Sequence, residues 1–337
     1  MKILRACRGK KSGLPALGAI SATALLTLAF TISAHGQNWM TNGLVAHYPM
    51  HGDVTDVSGH GMHGRIMGTP MMVTNRFGEP GHGIAFAGGM DAIMLTNLNV
   101  NMVTNSQNTV CLWMRWDGGV NGSTNPVAMP FGWGNTNQNY CLLFQQEGNG
   151  RFGFSGGMAD VYGTDYGPML SNHWVQVAAV FNNGNMMNSG LYINGQRMTG
   201  SMTVGGMPMG MGMMVQRSAH PMAFLGGFGG QGAGPYQFFG AMSDVRIYNR
   251  ALTAEEITAL FGMEAAPSLR MMAGSTAGTA NLEFSSMMMG WQFQMQSSSD
   301  LTHWTNYSDM FMPTPGTMVR TVNSGGPHMF WRLQASP

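Results

Sequence analysis

One stretch of the chain, Phe238 to Phe261, predicts a β-strand, a turn and a short α-helix in that order. In its first half apolar and polar residues alternate, as in a strand whose two faces meet different surroundings. The alternation assigns Met242, Asp244, Arg246 and Tyr248 to one face and Ser243, Val245, Ile247 and Asn249 to the other. A strand that runs into a helix in this way closes a domain, so we expect the residues that follow to form a second one.

The start of the helix carries two signals. Thr253 and Glu256 have the spacing of a capping box, in which each side chain accepts a hydrogen bond from the backbone N–H of the other residue. Leu252 and Ile257 occupy the two positions of a hydrophobic staple. We therefore predict a helix that begins after Thr253 and buries one apolar stripe. The stripe consists of Ile257, Leu260 and Phe261.

The abundance of glycine and the scarcity of charge indicate the fold class. The 337 residues include 49 Gly, only 9% are charged, and no long helical periodicity occurs. This composition favours an all-β protein with many turns. The length is sufficient for two domains, each with its own hydrophobic core.

The first 36 residues have the pattern of a secretory leader. A basic region precedes an apolar run from Ala16 to Phe30, and Ala34-His35-Gly36 supplies a cleavage site of small residues. We predict export to the periplasm, the cell surface or the extracellular space; an uncleaved N-terminal anchor is the alternative. The basic residues are Lys2, Arg5, Arg8, Lys10 and Lys11.

Cleavage would remove every lysine of the chain and leave an excess of acidic over basic residues. A mildly acidic chain without basic clusters argues against nucleic acid and against anionic membranes as partners. The apolar run of the leader is short for a membrane span, so we expect no membrane insertion after cleavage.

Two motifs, one near each end of the first two thirds of the chain, resemble signatures of the same kind of domain. The closing segment DVRIYNRALTAEEITALF and the opening loop after the strand Gly43 to Met50 resemble the signatures of LamG-like jelly-roll domains, the concanavalin A-like lectin/glucanase sandwich. Met62 departs from the asparagine of that family. Trp113 lies in the strand that carries a buried Trp in the family. The matching loop positions are Asp56, Ser58, Gly59, Gly61, His63 and Gly64.

The resemblance implies a jelly roll over residues 37–262, followed by a linker over 263–267 that includes Glu264. The remainder, 268–337, contains short runs with the alternation of half-buried strands, such as Trp291, Phe293 and Met295. Its length and its final FWRLQASP resemble a small C-terminal β-sandwich of exported bacterial proteins. We expect an Ig-like or fibronectin-like sandwich there.

Calcium is the metal that the residues favour. Asp53 and Asp56 lie in a glycine-rich loop, and calcium takes carboxylate and carbonyl oxygens on tightly folded loops. The resemblance implies one ion shared by Asp56, carbonyls near Gly59 and His63, and Asp244. The alternatives are that Asp56 caps its own turn and that Asp244 pairs with a nearby arginine, Arg246 or Arg250.

Aromatic residues in glycine- and asparagine-rich surroundings are the candidates for sugar stacking. Each of them has the alternative of lying half-buried beneath a loop. The candidates are Trp133, Tyr140, Tyr162, Tyr166 and Tyr236.

Outside the leader the chain has two cysteines, Cys111 and Cys141, each in a strand-like run. In an oxidising compartment a disulfide between neighbouring strands is one interpretation, and two buried free thiols are the other.

Catalysis is not indicated. Glycoside hydrolases need two carboxylates, about 5–5.5 Å apart for a retaining mechanism. Glu147 is the one glutamate on a predicted sheet strand, and it has no acidic partner at strand spacing. We therefore predict a non-catalytic protein that recognises a glycan or a surface glycoprotein. The alternatives are an adhesion module that binds protein, and a glycoside hydrolase or polysaccharide lyase.

Overall fold

A computed structural model describes most of the chain and divides it into two compact units. One unit spans 38–75 and 79–264, and the other comprises 1–37, 76–78 and 265–337. The described residues are 5–8, 38–103, 105–117, 127–134, 140–145, 151–155, 160–165, 170–183, 188–198, 203–205, 222–228, 236–265, 267–276, 278–285, 287, 291–314, 317–323 and 328–336.

The larger unit contains two sheets of eight strands, in which all described strand pairs are antiparallel. We call the first the helix-side sheet. Its strands, in spatial order, are β14 (Gln196–Arg197), β13 (Gly190–Ile193), β12 (Trp174–Asn182), β7 (Gln107–Trp116), β17 (Phe239–Tyr248), β5 (Gly83–Ala87) and β4 (Met71–Val73), with β2 (Leu44–Tyr48) also paired to β17.

We call the second the opposite sheet. Its strands, in spatial order, are β15 (Thr203–Gly205), β11 (Asp160–Asp165), β10 (Arg151–Ser155), β9 (Tyr140–Gln145), β8 (Val127–Trp133), β16 (Ala223–Leu225), β6 (Ala92–Leu95) and β3 (Arg65–Met67). Apolar side chains from both sheets form one core cluster. The predicted all-β sandwich is therefore confirmed.

The strand β17 contains a bulge that the sequence pattern conceals. The register to β7 shifts between Ser243 and Arg246, and Asp244 between them has a φ of 46°. The extra residue places Met242 and Val245 together in the core, although strict alternation assigns them to opposite faces. The face assignment from simple alternation is thus wrong on one side of Asp244.

The helix α1 (Ala254–Glu264) covers the outer face of the helix-side sheet. The capping box is present: the Glu256 N–H donates to Thr253 Oγ1 at 3.2 Å, and the Thr253 N–H donates to Glu256 Oε2 at 2.8 Å. Ile257 and Leu260 are buried in a second apolar cluster beneath the helix, and Leu252 of the predicted staple joins them. The predicted helix start is confirmed, and so is the burial of Ile257 and Leu260. Phe261, the third residue of the predicted stripe, is only half-buried.

The helix extends beyond the predicted jelly-roll boundary at residue 262. Glu264, assigned to the linker from the sequence, is its last residue, and the side chain is only 8% exposed. Its carboxylate pairs with Arg246 and accepts hydrogen bonds from Trp113 Nε1 at 2.8 Å and Gln176 Nε2 at 2.7 Å. Trp113, buried as predicted, also stacks on Phe261, with ring centroids 5.9 Å apart. Glu264 therefore fixes the end of the helix to three strands of the sheet, β7, β12 and β17.

The smaller unit contains two small sheets. Phe284 of the first and Phe293 of the second both pack near Phe311, at ring-centroid distances of 6.5 and 6.3 Å. The first has the order β18 (Ser268–Ala273), β19 (Thr279–Ser285) and β22 (Met318–Asn323). The second has the order β1 (Arg5–Arg8), β23 (His328–Ser336), β20 (Gln292–Ser298) and β21 (Thr305–Asn306).

Part of the predicted leader lies in this second sheet, where β1 pairs with β23 and Arg5 lies opposite Trp331. The pairing does not test cleavage, and export stays a prediction. Within the described ranges, no helix combines the length and apolar character of a membrane span.

The predicted disulfide is absent. Cys111 is a free thiol in β7 of the helix-side sheet, whereas Cys141 lies in β9 of the opposite sheet. Cys111 packs beneath α1, on the outer face of its sheet, so its side chain points away from the sandwich core. Burial raises the pKa of the Cys111 thiol to about 12. The interpretation as a buried free thiol therefore holds for Cys111.

Candidate functional site

The opening loop is organised around the carboxylate of Asp56, which is only 5% exposed. The backbone N–H groups of His47 and Ser58 donate to Oδ1, and the Ser58 hydroxyl and the Met62 N–H donate to Oδ2, all at 2.9 Å. The Val57 N–H also donates to the His47 carbonyl at 2.8 Å. The loop thereby covers the edge of β2, an edge that would otherwise be open to pairing.

These hydrogen bonds also set the charge state of Asp56. Burial by itself raises the pKa of this carboxyl, but the N–H groups of His47, Ser58 and Met62 stabilise its charged form. The outcome is a pKa below the usual range. The carboxylate is thus an ionised anchor of the loop, which is the turn-capping alternative from the sequence.

The other predicted calcium ligands of the opening loop are Asp53, Gly59 and His63. His63 Nδ1 accepts the Asp56 N–H at 3.1 Å, and Asp53 accepts the Thr55 N–H at 2.9 Å on the surface. Gly59 adopts a φ of 92°, which serves the turn. Within the described residues, no group of three His, Cys, Asp or Glu side chains could hold a metal ion. Because calcium also takes carbonyl oxygens, which that group does not include, the calcium ion stays a prediction.

The carboxylate of Asp244 lies beside His47 of the neighbouring strand. Its Oδ1 lies 3.4 Å from His47 Nε2, on the strand next to the bulge. Of the two arginines expected beside it, Arg246 pairs with Glu264, and Arg250 pairs with Glu256. Asp244 therefore belongs to the junction of β2 with β17.

Of the predicted sugar-stacking aromatics, Trp133 is excluded by its burial. Trp133 is fully buried and packs edge-on against Phe131, at a ring-centroid distance of 5.1 Å, so it cannot stack on a sugar. Tyr140 lies opposite Trp133 in the sheet register, and Tyr162 lies opposite Gly153. Tyr166 falls outside the described residues.

Tyr236 is the predicted aromatic that reaches the surface as part of a larger apolar face. It is half-buried, and its ring packs edge-on against Phe228, which in turn packs edge-on against Phe224, both at centroid distances of 5.5 Å. We call the whole cluster the Tyr236 face. It comprises the buried Ala92, Met129, Phe224 and Phe228 and the partly buried Met67, Met94, Met222 and Tyr236.

Strand register places this face on the outer side of the opposite sheet. Leu95 and Ala223 are opposite each other and belong to the sandwich core, so the next pair, Met94 and Phe224, points outward. Arg65 lies opposite Met94 on the neighbouring strand and is exposed. The face is therefore built on four paired strands and offers a cation at its border.

The sequence reasoning missed Phe224, Phe228 and Met94. The strand β16 has only three residues, Ala223–Leu225, too few to show an alternation by themselves. In β6 the alternation of Ala92 and Met94 with Ile93 and Leu95 was present, but an all-apolar run does not reveal which face is outward.

The sequence matches the family described as the Concanavalin A-like lectin/glucanases superfamily over residues 87–258, just over half of the chain. The chain belongs to this superfamily. The match includes most of the Tyr236 face and the capping box of α1, while the opening loop around Asp56 lies before it.

Several solved structures are similar to this chain. Domain 4 of AbnA, an extracellular arabinanase from Geobacillus stearothermophilus in complex with arabinotriose, is 21% identical, with 64% of this chain and 97% of that chain covered and a TM-score of 0.45. The botulinum neurotoxin serotype D binding domain is 12% identical, with 79% and 61% covered and a TM-score of 0.46. Trypanosoma rangeli sialidase is 16% identical, with 65% and 32% covered and a TM-score of 0.43. A search of the curated proteins found no match.

Proposed function

We propose that the chain is an exported, non-catalytic glycan-binding protein and that the Tyr236 face is its binding surface. The observation that carries the proposal is the partial exposure of Tyr236 on a rigid support of Phe228 and Phe224. Membership of a superfamily that contains lectins supports a carbohydrate as the ligand.

The face has the chemistry that a sugar ring requires. The C–H groups of a pyranose pack against aromatic and thioether surfaces, and a few polar groups at the border fix the orientation. Met94 and Met222 supply apolar surface next to the rings, and Arg65 supplies donors for hydroxyl oxygens. Because the four strands beneath are hydrogen-bonded to each other, binding requires little ordering of the protein.

Binding without catalysis is proposed because the most buried carboxylates have structural partners. Asp56 holds the opening loop, and Glu264 holds the helix end. Asp91 accepts the Thr69 N–H at 2.7 Å and the Ala87 N–H at 3.0 Å, and so holds the turn beside β6.

A glycan array with the chain from Gln37 tests the proposal. Tyr236→Ala should abolish binding, whereas Tyr236→Phe should retain most of it because the ring remains. Met71→Ala, at an exposed methionine of the helix-side sheet, is the matched control and should bind as the wild type. Folding of each variant is checked by circular dichroism.

Four results would contradict the proposal. Retention of binding in Tyr236→Ala would place the site elsewhere. Failure of the folded wild type to bind any glycan would favour the protein-binding alternative. Release of new reducing ends from a bound polysaccharide would show a hydrolase, and formation of unsaturated products would show a lyase.

The same array, repeated with a calcium chelator, tests the predicted ion. We propose that binding persists, because both oxygens of Asp56 already accept hydrogen bonds from the protein. Loss of binding in chelator, restored by added calcium, would overturn this part and return attention to Asp53 and Asp244.

A further inference from the structure

A pocket of about 310 Å³ opens at the end of the larger unit where β2 begins and β17 ends. Its more buried lining is apolar and comes from Leu44, Val45 and Met62. No residue that lines it belongs to the Tyr236 face, so the two sites are separate parts of the surface. We call it the rim pocket.

The exposed lining of the rim pocket carries hydrogen-bonding side chains. Asn99 and Asn249 contribute side-chain amides that form no hydrogen bond with a described residue. His60 of the opening loop also lines the pocket. The Nδ1 of His60 is 3.0 Å from the Ser58 hydroxyl, which leaves Nε2 for a ligand. Of the described residues that line the pocket, none is Lys, Arg, Asp or Glu.

Asn249 is held in place through its backbone. Its N–H donates to the Gly43 carbonyl at 2.8 Å, and the next residue, Arg250, is clamped by Glu256 and by the carbonyls of Trp39 and Asn42. Gly43 adopts a φ of +73°, and a Cβ there would lie 2.7 Å from Asn249 Oδ1. The glycine is therefore what allows the amide to lie against this turn.

Asn99 is fixed in a different way. Its neighbours Leu98 and Val100 are both buried in the sandwich core, and the Val100 N–H donates to the Leu98 carbonyl at 2.8 Å. Two buried anchors on either side leave the Asn99 side chain on the surface. The pocket thus presents two amides whose backbones are already ordered, and ordering before binding favours affinity.

From this geometry we propose that the rim pocket binds a single neutral sugar residue. Each amide offers both a donor and an acceptor, as a sugar hydroxyl does, and the apolar lining suits the C–H face of the ring. Because no described lining residue is Lys, Arg, Asp or Glu, sugar acids and amines would find no fixed countercharge there. Ligand pockets span about 300–1,000 Å³, so this one suits one ring better than a chain.

The test is a titration of the full chain with the methyl glycosides of glucose, galactose, mannose, arabinose and N-acetylglucosamine, followed by amide chemical shifts. At least one sugar should shift the backbone signals of Asn99 and Asn249. Asn99→Ala and Asn249→Ala should each weaken that binding by about tenfold, the effect of one lost hydrogen bond to a desolvated partner.

Asn42→Ala is the matched control, because this exposed asparagine lies in the same turn and contributes only its carbonyl to Arg250. It should bind as the wild type. The inference does not rest on the Tyr236 face: Tyr236→Ala should leave the rim-pocket shifts intact even if it abolishes binding on the array.

The inference is overturned if no sugar shifts these signals in folded protein. It is also overturned if the two asparagine variants bind as the wild type, or if Asn42→Ala loses binding equally. Binding of an N-acetyl dipeptide amide in place of every sugar would make the pocket a peptide site and would equally exclude the proposal.

Discussion

The two outer faces of the sandwich are both apolar, yet they have different environments. On the helix-side sheet, Cys111 and Tyr248 are buried beneath Ile257 and Leu260 of α1. On the opposite sheet, no described helix packs on the Tyr236 face, and Met94 and Tyr236 remain partly exposed.

The comparison of the two outer faces shows that a helix-covered face and an uncovered face can be built from the same kind of strand. Apart from its last residue, β12 is buried along its whole length, because one side of it faces the core and the other faces the helix-side cluster. The two faces differ because of the segment after β17. Its capping box starts the helix that covers the helix-side sheet.

The largest loss of stability is expected when Glu264 is removed from the helix-covered face. Glu264→Ala should destabilise the larger unit by about 3–5 kcal/mol, because Arg246 is left without its carboxylate in a mostly buried position. Urea unfolding followed by tryptophan fluorescence measures the loss. Glu255→Ala, on the exposed side of the same helix, is the control, and an equal loss there would contradict the assignment.

Truncating an apolar side chain under the helix should lower the free energy of unfolding more than a similar truncation on the Tyr236 face. Leu260→Ala should destabilise by about 2–4 kcal/mol, the usual range for a buried leucine. Met94→Ala should cost about 1 kcal/mol or less, because its side chain is already partly in water. Equal losses in the two variants would show that the Tyr236 face is covered.

Acid should weaken the helix-side sheet at the edge that the opening loop covers. The folded pKa of Asp56 lies below its unfolded value, so its contribution is present above the unfolded pKa of about 3.9 and is lost as pH falls through the folded pKa. Asp56→Asn should cost about 1–3 kcal/mol at neutral pH, because the new amide cannot accept all of the same donors. The difference from wild type should shrink as pH falls. A difference independent of pH would contradict the ionised anchor; Asp53→Asn is the exposed control.

Methionine oxidation should affect stability least, but it reports directly on the solvent exposure of the two regions. Dilute peroxide should oxidise Met67, Met94 and Met222 before Met114 and Met242, which are fully buried in the core. Peptide mass spectrometry measures the order of oxidation. Simultaneous oxidation of both groups would show that the Tyr236 face is as protected as the core.

Local signals in the sequence were reliable where a few neighbouring residues determine the outcome. The capping box of Thr253 and Glu256 could be predicted because both partners lie within one turn. The turn between β13 and β14 is equally local, because Asn194 and Gly195 both tolerate the positive φ that they adopt there. The resemblance to the superfamily supplied the sandwich itself.

Features that depend on distant residues could not be predicted in this way. The bulge at Asp244 arises from pairing with β7, more than a hundred residues away, and it changes which side chains enter the core. Trp133 had the surroundings of a loop residue but ends a core strand. Glu264 looked like a linker residue because its partners Arg246, Trp113 and Gln176 are not adjacent to it in sequence.

The pairing of β2 with β17 has a consequence for the order in which the larger unit folds. Val245 lies opposite Tyr48, and β17 also pairs with β7 and β5, so the last strand joins segments made much earlier. Contacts between such distant segments slow folding, because the chain must first close long loops. Until residue 248 has been synthesised, β2 lacks its strand partner, and β5 and β7 can pair only with β4 and β12. The nascent chain therefore stays without a closed sandwich for most of its synthesis.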